Sequence, residues 1–333
     1  MSSPTLPRAE TLSPLDSNEV IVDLIQNITQ QSRKDVLECL LLEEQDFPAN
    51  VPQEFRESNA PQNEWTPELL TFYQETNSFL FETFVWNRHP LKLEIRKWLA
   101  NIIQKYSDQK LKILCYGDGL GFESAFLAGF GHDVTYQEVS QPAIKIAREV
   151  ARLNNVDVTI QPDQSLFQSE EFDVIVCCDV LEHLPDPPAQ VAEFETWLKP
   201  DGLLIINAPF FLVNDLFPTH LRSNLKYAGD HRNLYKPAGF ELLAGTFMWL
   251  PVAFGKVSSP ETRRKLKRTG NLLKTKLGSL FLRLCRITPF FHCWGARIPL
   301  RLLRSRHQVE PLQKMLDELT RKPTPSSSPQ IPN

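Results

Sequence analysis

A strand that turns through several glycines into a helix constrains this chain more than any other feature. The stretch 113–121 reads ILCYGDGLG, with glycines at 117, 119 and 121. Glycine lets a ligand approach the backbone where a Cβ atom would block it, and the N–H groups that open the next helix are free to bind. The next predicted strand, 133–138, ends on Glu138, whose carboxylate can accept both vicinal hydroxyls of a ribose. These residues predict a nucleoside pocket.

The spacing of the glycines separates two kinds of nucleotide site. The dinucleotide pattern G-x-G-x-x-G would need glycine where this chain has Phe122, whereas G-x-G-x-G fits. The fitting pattern resembles motif I of the class I S-adenosylmethionine-dependent methyltransferases. Residues 172–186 resemble the fourth strand of that family with its following loop, and residues 198–209 resemble its fifth strand with the preceding turn. The three matches occur in the family's order.

The resemblance implies that S-adenosyl-L-methionine is the cofactor, and it assigns residues to the parts of that molecule. The implied contacts are Gly117, Asp118, Gly119 and Gly121 at the methionine portion, Glu138 and Val139 at the ribose, Asp163 and Gln164 at the adenine, and Asp179, Val180 and Leu181 beside the sulfonium. The family usually carries an acid two residues before the first glycine. This chain has Cys115 there, and Asp118 is a candidate replacement. For Asp163, a structural role in a turn is the alternative.

Methyl transfer from a sulfonium is an in-line displacement, so alignment and exclusion of water supply most of the acceleration. A base is needed only for a weakly acidic acceptor such as a hydroxyl. Three histidines are candidates, namely His183, His220 and His231. A structural role at a helix start is the alternative for His183. Residues 230–235 resemble an H-x-x-x-(Phe/Tyr) element of ubiquinone-biosynthesis-type methyltransferases, and the sequence alone selects none of the three.

Strands and helices alternate between Leu111 and Pro209, which predicts an α/β fold with a doubly wound, Rossmann-like, mostly parallel sheet. A helical segment precedes this sheet and a basic helical extension follows it. The predicted strands are 111–116, 133–138, 157–161, 172–178 and 203–207, and the predicted helices are 121–130, 141–153 and 187–197. A sixth strand is expected within 246–254, and no seventh is recognisable.

The outer parts of the chain give the remaining predicted boundaries. The predicted units are a disordered tail (1–18), a helical N-terminal segment (19–106), a methyltransferase domain (107–255), a basic amphipathic extension (256–321) and a second disordered tail (322–333). Within the N-terminal segment, apolar spacing predicts helix over about 21–45, a proline-containing loop over 48–66, and a helix that Thr66 caps with Pro67 at its first position. By the resemblance, this segment covers the mouth of the cofactor site.

Charge divides the chain into two unlike parts. Residues 1–255 carry 19 basic and 36 acidic side chains, whereas residues 256–333 carry 17 basic and 4 acidic ones. Leucines from Leu272 to Leu284 share one side of a helical wheel and cations flank them, which is typical of an interfacial helix at an anionic membrane surface. We expect residues 262–309 to form this surface. A helical cap on the acidic domain is the alternative, and nucleic-acid binding is disfavoured because no RNA- or DNA-binding signature accompanies the charge.

Composition limits the function further. The chain has 42% hydrophobic and 23% charged residues, which is ordinary for a globular protein, and no uncharged apolar run long enough to cross a bilayer. The six cysteines form no C-x-x-C pair, so we expect reduced thiols, no metal site and a cytoplasmic protein, with peripheral membrane attachment as a variant.

The sequence therefore predicts an S-adenosylmethionine-dependent methyltransferase that acts on a small-molecule or lipid-like acceptor. Two alternatives stay open at this point. One is a non-catalytic binding module with the same fold that a membrane recruits, and the other is an RNA-directed methyltransferase that uses the basic extension as its electrostatic arm.

Overall fold

A seven-stranded sheet organises the protein. The computed structural model describes residues 12–246, 251–269, 272–285 and 308–321. The strands are β1 (Lys112–Tyr116), β2 (Asp133–Gln137), β3 (Val158–Ile160), β4 (Phe172–Cys178), β5 (Leu198–Asn207), β6 (Glu241–Gly245) and β7 (Val252–Gly255). Their order in the sheet is β3-β2-β1-β4-β5-β7-β6. The first five strands are parallel, and β7 runs antiparallel to both of its neighbours. The predicted α/β fold class is confirmed.

Helices cover both faces of the sheet because every parallel connection needs a crossover. They are α1 (Asn18–Thr29), α2 (Arg33–Asp46), α3 (Asn50–Glu57), α4 (Pro67–Glu75), α5 (Ser78–Arg88), α6 (Pro90–Tyr106), α7 (Phe122–Ala128), α8 (Gln141–Leu153), α9 (Pro187–Trp197), α10 (His231–Leu234), α11 (Pro260–Thr269), α12 (Leu272–Cys285) and α13 (Val309–Thr320). Two large apolar clusters lie on opposite faces of the sheet. Ile113 and Val174 belong to one of them, and Leu114 and Ile175 belong to the other.

The order of the strands determines the end of the sheet at which a ligand can bind. The chain adds β2 and then β3 on one side of β1, and it places β4 on the other side. The order of strand addition therefore reverses between β1 and β4. The register pairs Tyr116 with Gln137 on one side and with Cys177 on the other. The loops that follow β1, β2 and β4 therefore open at the same end of the sheet. Ligands bind at this point in open α/β sheets.

The far edge of the sheet differs from the prediction. A single strand was expected within 246–254, but the chain forms β6 before this range and β7 at its end, and β7 pairs with β5. The prediction was wrong because β6 is short and its burial does not alternate. Its first two residues are partly exposed and its last three are buried. β5 also begins earlier than predicted, at Leu198, which pairs with Phe172 ahead of a register shift.

The N-terminal helices follow the predicted pattern with two corrections. The predicted helix 21–45 is divided into α1 and α2 at Gln30, which has a left-handed conformation with φ 60°. The predicted loop 48–66 contains α3, whose Val51 and Phe55 are buried. The predicted cap is present, since Thr66 accepts a hydrogen bond from the Leu69 N–H.

The predicted N-terminal disorder is wrong for residues 12–17. Leu12 and Leu15 are buried in the main core, and Ser13 exchanges backbone hydrogen bonds with the Asn154 side chain at 3.0 and 2.8 Å. The tail was misjudged because Leu12 and Leu15 have no periodic partners in the sequence, so only the tertiary contact orders them. The rest of this tail and the predicted tail 322–333 lie outside the described residues.

The C-terminal helices return to the domain. Leu266 of α11 and Leu312 of α13 are buried in the main core, and the Asn18 side chain donates a hydrogen bond to Gln308 at 2.9 Å. α12 packs on β6, with Thr275 and Leu282 buried. Within the described ranges, no helix has the length and apolar character needed to cross a bilayer.

Burial of Glu44 predicts a specific dependence of stability on pH. Burial raises the pKa of Glu44 from 4.5 to about 7, although Arg88 lies 3.9 Å away and opposes the shift. A raised folded-state pKa adds stability below pH 4.5 that is lost as pH rises to 7. We expect Glu44→Gln to gain stability relative to wild type between pH 4.5 and 7.5, on the order of 3 kcal/mol. Urea unfolding at both pH values measures this change.

Glu38→Gln is the matched control, because it replaces an exposed acid of the same helix. If the two variants change in parallel with pH, Glu44 is not the source of the dependence.

Candidate functional site

A cavity of about 390 Å³ opens at the carboxyl ends of β1, β2 and β4. Its floor consists of Cys115–Leu120, Gln137–Ser140 and Cys178–Val180. Its cover comes from α4, α5 and α6, and its far wall comes from residues 207–220. This volume is in the range of small-molecule and cofactor sites. The N-terminal helices lie over the mouth, as the resemblance implied.

The three glycines of the turn have different roles. Gly117, Gly119 and Gly121 all have positive φ, which glycine adopts without strain. Gly117 and Gly119 line the cavity, whereas Gly121 does not. A Cβ atom on Gly121 would lie 2.7 Å from the Ala147 Cβ, so this glycine lets α7 approach α8. Gly121 was expected at the methionine portion of the cofactor, and the structure places it at a helix contact instead.

Glu138 lies in the cavity wall, with its carboxylate held by the backbone. One oxygen accepts from the Val139 and Ser140 N–H groups at 2.7 and 3.0 Å, and the other accepts from the Gly119 N–H at 3.1 Å. These bonds tie the end of β2 to the glycine turn. Val139 also lines the cavity, and its side chain is 74% exposed. A carboxylate fixed in this way presents its remaining lone pairs in a set direction.

Asp118 lies in the turn, but its carboxyl group is already engaged. It accepts from the Glu123 and Ser124 N–H groups at 3.2 and 2.7 Å, at the start of α7. Burial, together with the charge of Glu123, holds the pKa of Asp118 well above its ordinary value. The neighbouring Cys115 is also buried, and burial keeps its thiol neutral by raising its pKa. Neither residue therefore offers a free negative charge at the position where the family usually has an acid.

Asp179 directly follows β4 and is fully hydrogen-bonded. It has φ 60°, and its two oxygens accept from the Asn207 Nδ2 at 2.7 Å and from the Trp86 Nε1 at 3.2 Å. Lys92 lies 3.5 Å from the second oxygen. Asp179 and Val180 line the cavity, whereas the side chain of Leu181 is buried outside the lining.

Two predicted adenine contacts are not in the cavity. Asp163 is exposed and accepts from the Ser165 N–H at 2.9 Å, which is the turn role that was the alternative for it. Gln164 is also exposed, and its side chain accepts from the Tyr116 hydroxyl at 2.7 Å. Neither lines the cavity. Gln137 does line it and is buried, and its side chain donates to the Pro162 carbonyl at 3.3 Å.

A buried ion network below the glycine turn was missed by sequence reasoning. Lys92 and Arg96 of α6 lie 3.4 and 3.0 Å from the Glu123 carboxylate of α7. Burial alone would raise the pKa of Glu123, but the two cations lower it to about 2. The i, i+4 spacing of these two cations on α6 was the only signal in the sequence. Glu82 and Thr83 of α5 line the same part of the cavity and were also missed.

His183 and His220 meet at the opposite end of the cavity. Their rings are 4.6 Å apart, and the His183 Nδ1 lies 2.8 Å from the Tyr73 hydroxyl and 3.2 Å from the Thr219 carbonyl. Burial lowers the pKa of His183 to about 4, although Thr219 opposes the shift. Burial and the neighbouring His183 also hold the pKa of His220 well below its usual value. Both imidazoles are neutral at pH 7.

Glu182 completes this cluster. It is 1% exposed, and neither of its carboxyl oxygens has a hydrogen-bond partner among the described residues. Burial and then Asp179 raise its pKa well above the ordinary value, so the group is protonated. Glu182, His183 and His220 offer ligand atoms within 4.8 Å of one another, a spacing that could hold a metal ion, although no metal site was predicted.

The third candidate histidine, His231, is on α10. The backbone of His231 opens α10, and its side chain lies outside the described residues. Tyr235, the other end of the predicted H-x-x-x-Tyr element, is buried and stacks on Phe254 at 4.1 Å. This tyrosine belongs to the core.

Comparison with known proteins agrees with this geometry. A family model described as a methyltransferase domain matches residues 114–206. This segment, which begins with the glycine turn, is similar to the methyltransferase domain of class I S-adenosylmethionine-dependent enzymes. The chain is 34% identical over 104 residues to the ubiquinone biosynthesis O-methyltransferase of Glaesserella parasuis serovar 5, covering 29% of this chain and 44% of that protein. The protein of the same name from Thiobacillus denitrificans is 34% identical over 143 residues, covering 40% and 62%.

The chain thus spans about half the length of the curated relatives it matches. Among solved structures, a SAM-dependent methyltransferase from Aquifex aeolicus is 16% identical with a TM-score of 0.39, covering 50% of this chain and 90% of that one.

The cavity fits the family's cofactor, S-adenosylmethionine. The cofactor has a sulfonium, an ammonium and a ribose. The cavity offers two glycines with positive φ, the fixed carboxylate of Glu138 at the end of β2, and further acids at Glu82, Asp179 and Glu182. Acidic side chains in the lining offer oxygen acceptors for the ammonium group and the ribose hydroxyls.

Gly117 provides a test of the turn. Alanine at this position would have φ 65°, and its Cβ atom would overlap the Val180 Cγ2. We expect Gly117→Ala to weaken binding of S-adenosylhomocysteine by tenfold or more, because the turn and the β4 loop must move apart. Isothermal titration calorimetry measures this affinity.

Gly131→Ala is the matched control. Gly131 has φ 87° and nothing within 4 Å of an added Cβ, so the substitution costs about 1 kcal/mol of backbone strain without a clash. Equal affinities in the two variants would contradict the assigned role of Gly117.

Proposed function

We propose that this protein transfers the methyl group of S-adenosylmethionine to a hydroxyl group of an apolar, quinone-like small molecule. The observation that carries the proposal is a neutral histidine, His183, in the same cavity as the glycine turn and at the end away from it. The names of the relatives, ubiquinone biosynthesis O-methyltransferases, support oxygen as the methylated atom.

The wall around His183 favours an apolar acceptor. Phe79 stacks on Tyr73 and Phe217 packs against His220, so both lie at the histidine end. The apolar side chains that line the cavity from the helical cover and the far wall are Phe47, Trp65, Leu70, Phe79, Leu212, Leu216 and Phe217. Trp65 and Leu70 are 43% and 45% exposed, so the apolar surface continues to the cavity mouth. A ring with a prenyl-like tail would bury this surface, at about 25 cal/mol per Å² of apolar area removed from water.

The hydroxyl end of such an acceptor needs a base. When the His183 Nδ1 carries the proton, it donates to the Thr219 carbonyl, and Nε2 is left as an acceptor. The Tyr73 ring packs edge-on against the imidazole and fixes its plane. His183 Nε2 would then take the acceptor's hydroxyl proton as the new C–O bond forms.

When bound, the cofactor would supply an electrophilic methyl carbon, and its carbon–sulfur bond would break as the carbon–oxygen bond forms. The chain aligns the two reactants, with Glu138 and the glycine turn on the cofactor side and His183 on the acceptor side. The helical cover excludes water from the space between them. Alignment of this kind supplies most of the rate enhancement for a displacement.

Replacing His183 tests the reaction type. We expect His183→Gln to lower kcat for methyl transfer to a prenylated phenol by about 100-fold or more, while the affinity for S-adenosylhomocysteine stays unchanged. Transfer of a tritium-labelled methyl group measures turnover, with prenylated phenols of graded tail length as acceptors and prenylated anilines as the comparison.

The control is His132→Gln, which changes a partly exposed histidine between α7 and β2, outside the cavity. Turnover of His183→Gln at the wild-type rate would remove the base from the proposal. Cofactor binding by the wild-type protein without turnover of any phenol would favour the non-catalytic alternative.

We also propose that α12 brings the protein to an anionic membrane surface, where an apolar acceptor would reside. One side of α12 packs on the domain through Thr275 and Leu282. Its other side presents Leu273, Leu277 and Leu280, which are 69%, 53% and 55% exposed at helical spacing. Exposed leucines flanked by lysines are typical of a helix that lies in a lipid interface.

Liposome sedimentation tests this surface. We expect the wild-type protein to pellet more with phosphatidylserine-containing vesicles than with neutral ones. The triple substitution Leu273→Ser, Leu277→Ser and Leu280→Ser should abolish the difference, because it removes the apolar contact.

The matched control is Leu166→Ser with Leu319→Ser, which changes two exposed leucines elsewhere. Equal pelleting of the wild-type protein with both kinds of vesicle would show that α12 has no such role.

A further inference from the structure

The cofactor cavity lacks a charge that its family usually places on β1. Cys115 occupies that position, is 1% exposed, and is neutral because burial raises its pKa. Asp118, the candidate replacement, is bound to the start of α7 by the Glu123 and Ser124 N–H groups. The methionine portion of the cofactor still brings an ammonium group that needs acceptors when it is buried.

Glu82 reaches this part of the cavity from the opposite side. It lies on α5 and lines the cavity together with Gly117, Gly119 and Asp179. Its neighbour Thr83 is the nearest side chain above Gly119, since a Cβ atom on that glycine would lie 3.5 Å from the Thr83 Cγ2. α5 therefore covers the glycine turn, and Glu82 is close enough to Asp179, at the end of β4, for the two acids to interact.

Glu82 has acidic neighbours and no partner of its own. Among the described residues it makes no hydrogen bond or ion pair, and Glu43 of α2 and Asp179 both act on it as like charges. Lys92, a buried cation that also lines the cavity, is already shared by Glu123 and Asp179. Glu43 is held by the Ala49 and Asn50 N–H groups at 3.1 and 2.9 Å, away from the cavity. A cationic ligand group is what this position lacks.

We propose that Glu82 binds the ammonium group of the cofactor's methionine portion and takes the place of the acid that is absent at Cys115. This inference rests on the family's cofactor and identifies a binding residue for it on the helical cover. In the free protein, burial and the two acids hold the pKa of Glu82 well above its usual value, which favours the protonated carboxyl group. An arriving ammonium stabilises the carboxylate, and the proton of Glu82 leaves to solvent.

Two ligands that differ in the amino-acid portion distinguish this contact from the contacts with the nucleoside. S-adenosylhomocysteine carries the amino-acid portion, whereas 5′-methylthioadenosine has the same nucleoside and lacks it. By calorimetry at pH 6.5, we expect Glu82→Gln to weaken S-adenosylhomocysteine binding by about tenfold or more and to leave 5′-methylthioadenosine binding unchanged. Glu75→Gln, which changes an exposed acid on the neighbouring helix α4, should alter neither affinity.

Proton release gives a readout on the unaltered protein. Calorimetry in buffers of different ionisation enthalpy measures the protons released on binding. We expect wild-type protein to release protons when it binds S-adenosylhomocysteine and none when it binds 5′-methylthioadenosine. Glu82→Gln should abolish the release, which distinguishes Glu82 from Glu43, whose pKa is also raised by burial, to about 7.

The outcomes distinguish the assignment of the cofactor from the contact of Glu82 with its ammonium group. If wild-type protein binds neither ligand, the cofactor assignment itself fails. Three results with a wild-type protein that binds both ligands would show that Glu82 does not hold the ammonium. Wild-type protein releases no proton, or Glu82→Gln still releases protons, or Glu82→Gln loses affinity for both ligands equally.

Discussion

The contact of Glu123 with Lys92 and Arg96 is the interaction on which the rest of the site depends. It joins α6, at the end of the helical cover, to α7, which begins directly after the glycine turn. Arg96 is fully buried and its remaining donors bind the backbone and side-chain oxygens of Asn87, so no charge of this group is left without a partner. Removing one member of such a network costs about 3–5 kcal/mol, because it leaves an uncompensated buried charge.

This network also fixes the distance between the cover and the sheet. Lys92 bridges from Glu123 to Asp179 at the end of β4, and Trp86 of α5 donates to the same aspartate. The glycine turn lies between these anchors, and its conformation is held from below by Glu138, which accepts from the Gly119 N–H. The cavity is therefore bounded by polar contacts on the cofactor side and by apolar side chains on the histidine side. That division matches a charged donor and an apolar acceptor.

The sequence predicted the central sheet well because its signals are local. Buried strands followed by glycine or a carboxylate define β1, β2 and β4, and the predicted helices 141–153 and 187–197 coincide with α8 and α9. Residues whose role depends on packing between distant elements were misplaced or missed. Gly121 contacts α8 instead of a ligand, Asp163 caps its own turn, and Glu82 reaches the cavity only because α5 folds back over Gly119. No periodicity in α5 distinguishes Glu82 from a solvated acid.

When the negative charge lies on α5 and not on β1, cofactor binding requires that the helical cover is docked. An acid on β1 belongs to the sheet and is present whenever the sheet is folded. Glu82 faces the cofactor only while the cover is docked, and the contacts of Lys92 and Trp86 with Asp179 contribute to that docking beside the apolar core of α5. Cofactor affinity and docking of the cover are then linked, because a ligand that binds only the docked state stabilises that state by its binding free energy. The same cover carries Trp65, Leu70 and Tyr73 at the acceptor end. Under the two proposals, occupation of the cofactor side assembles the surface on which the acceptor binds.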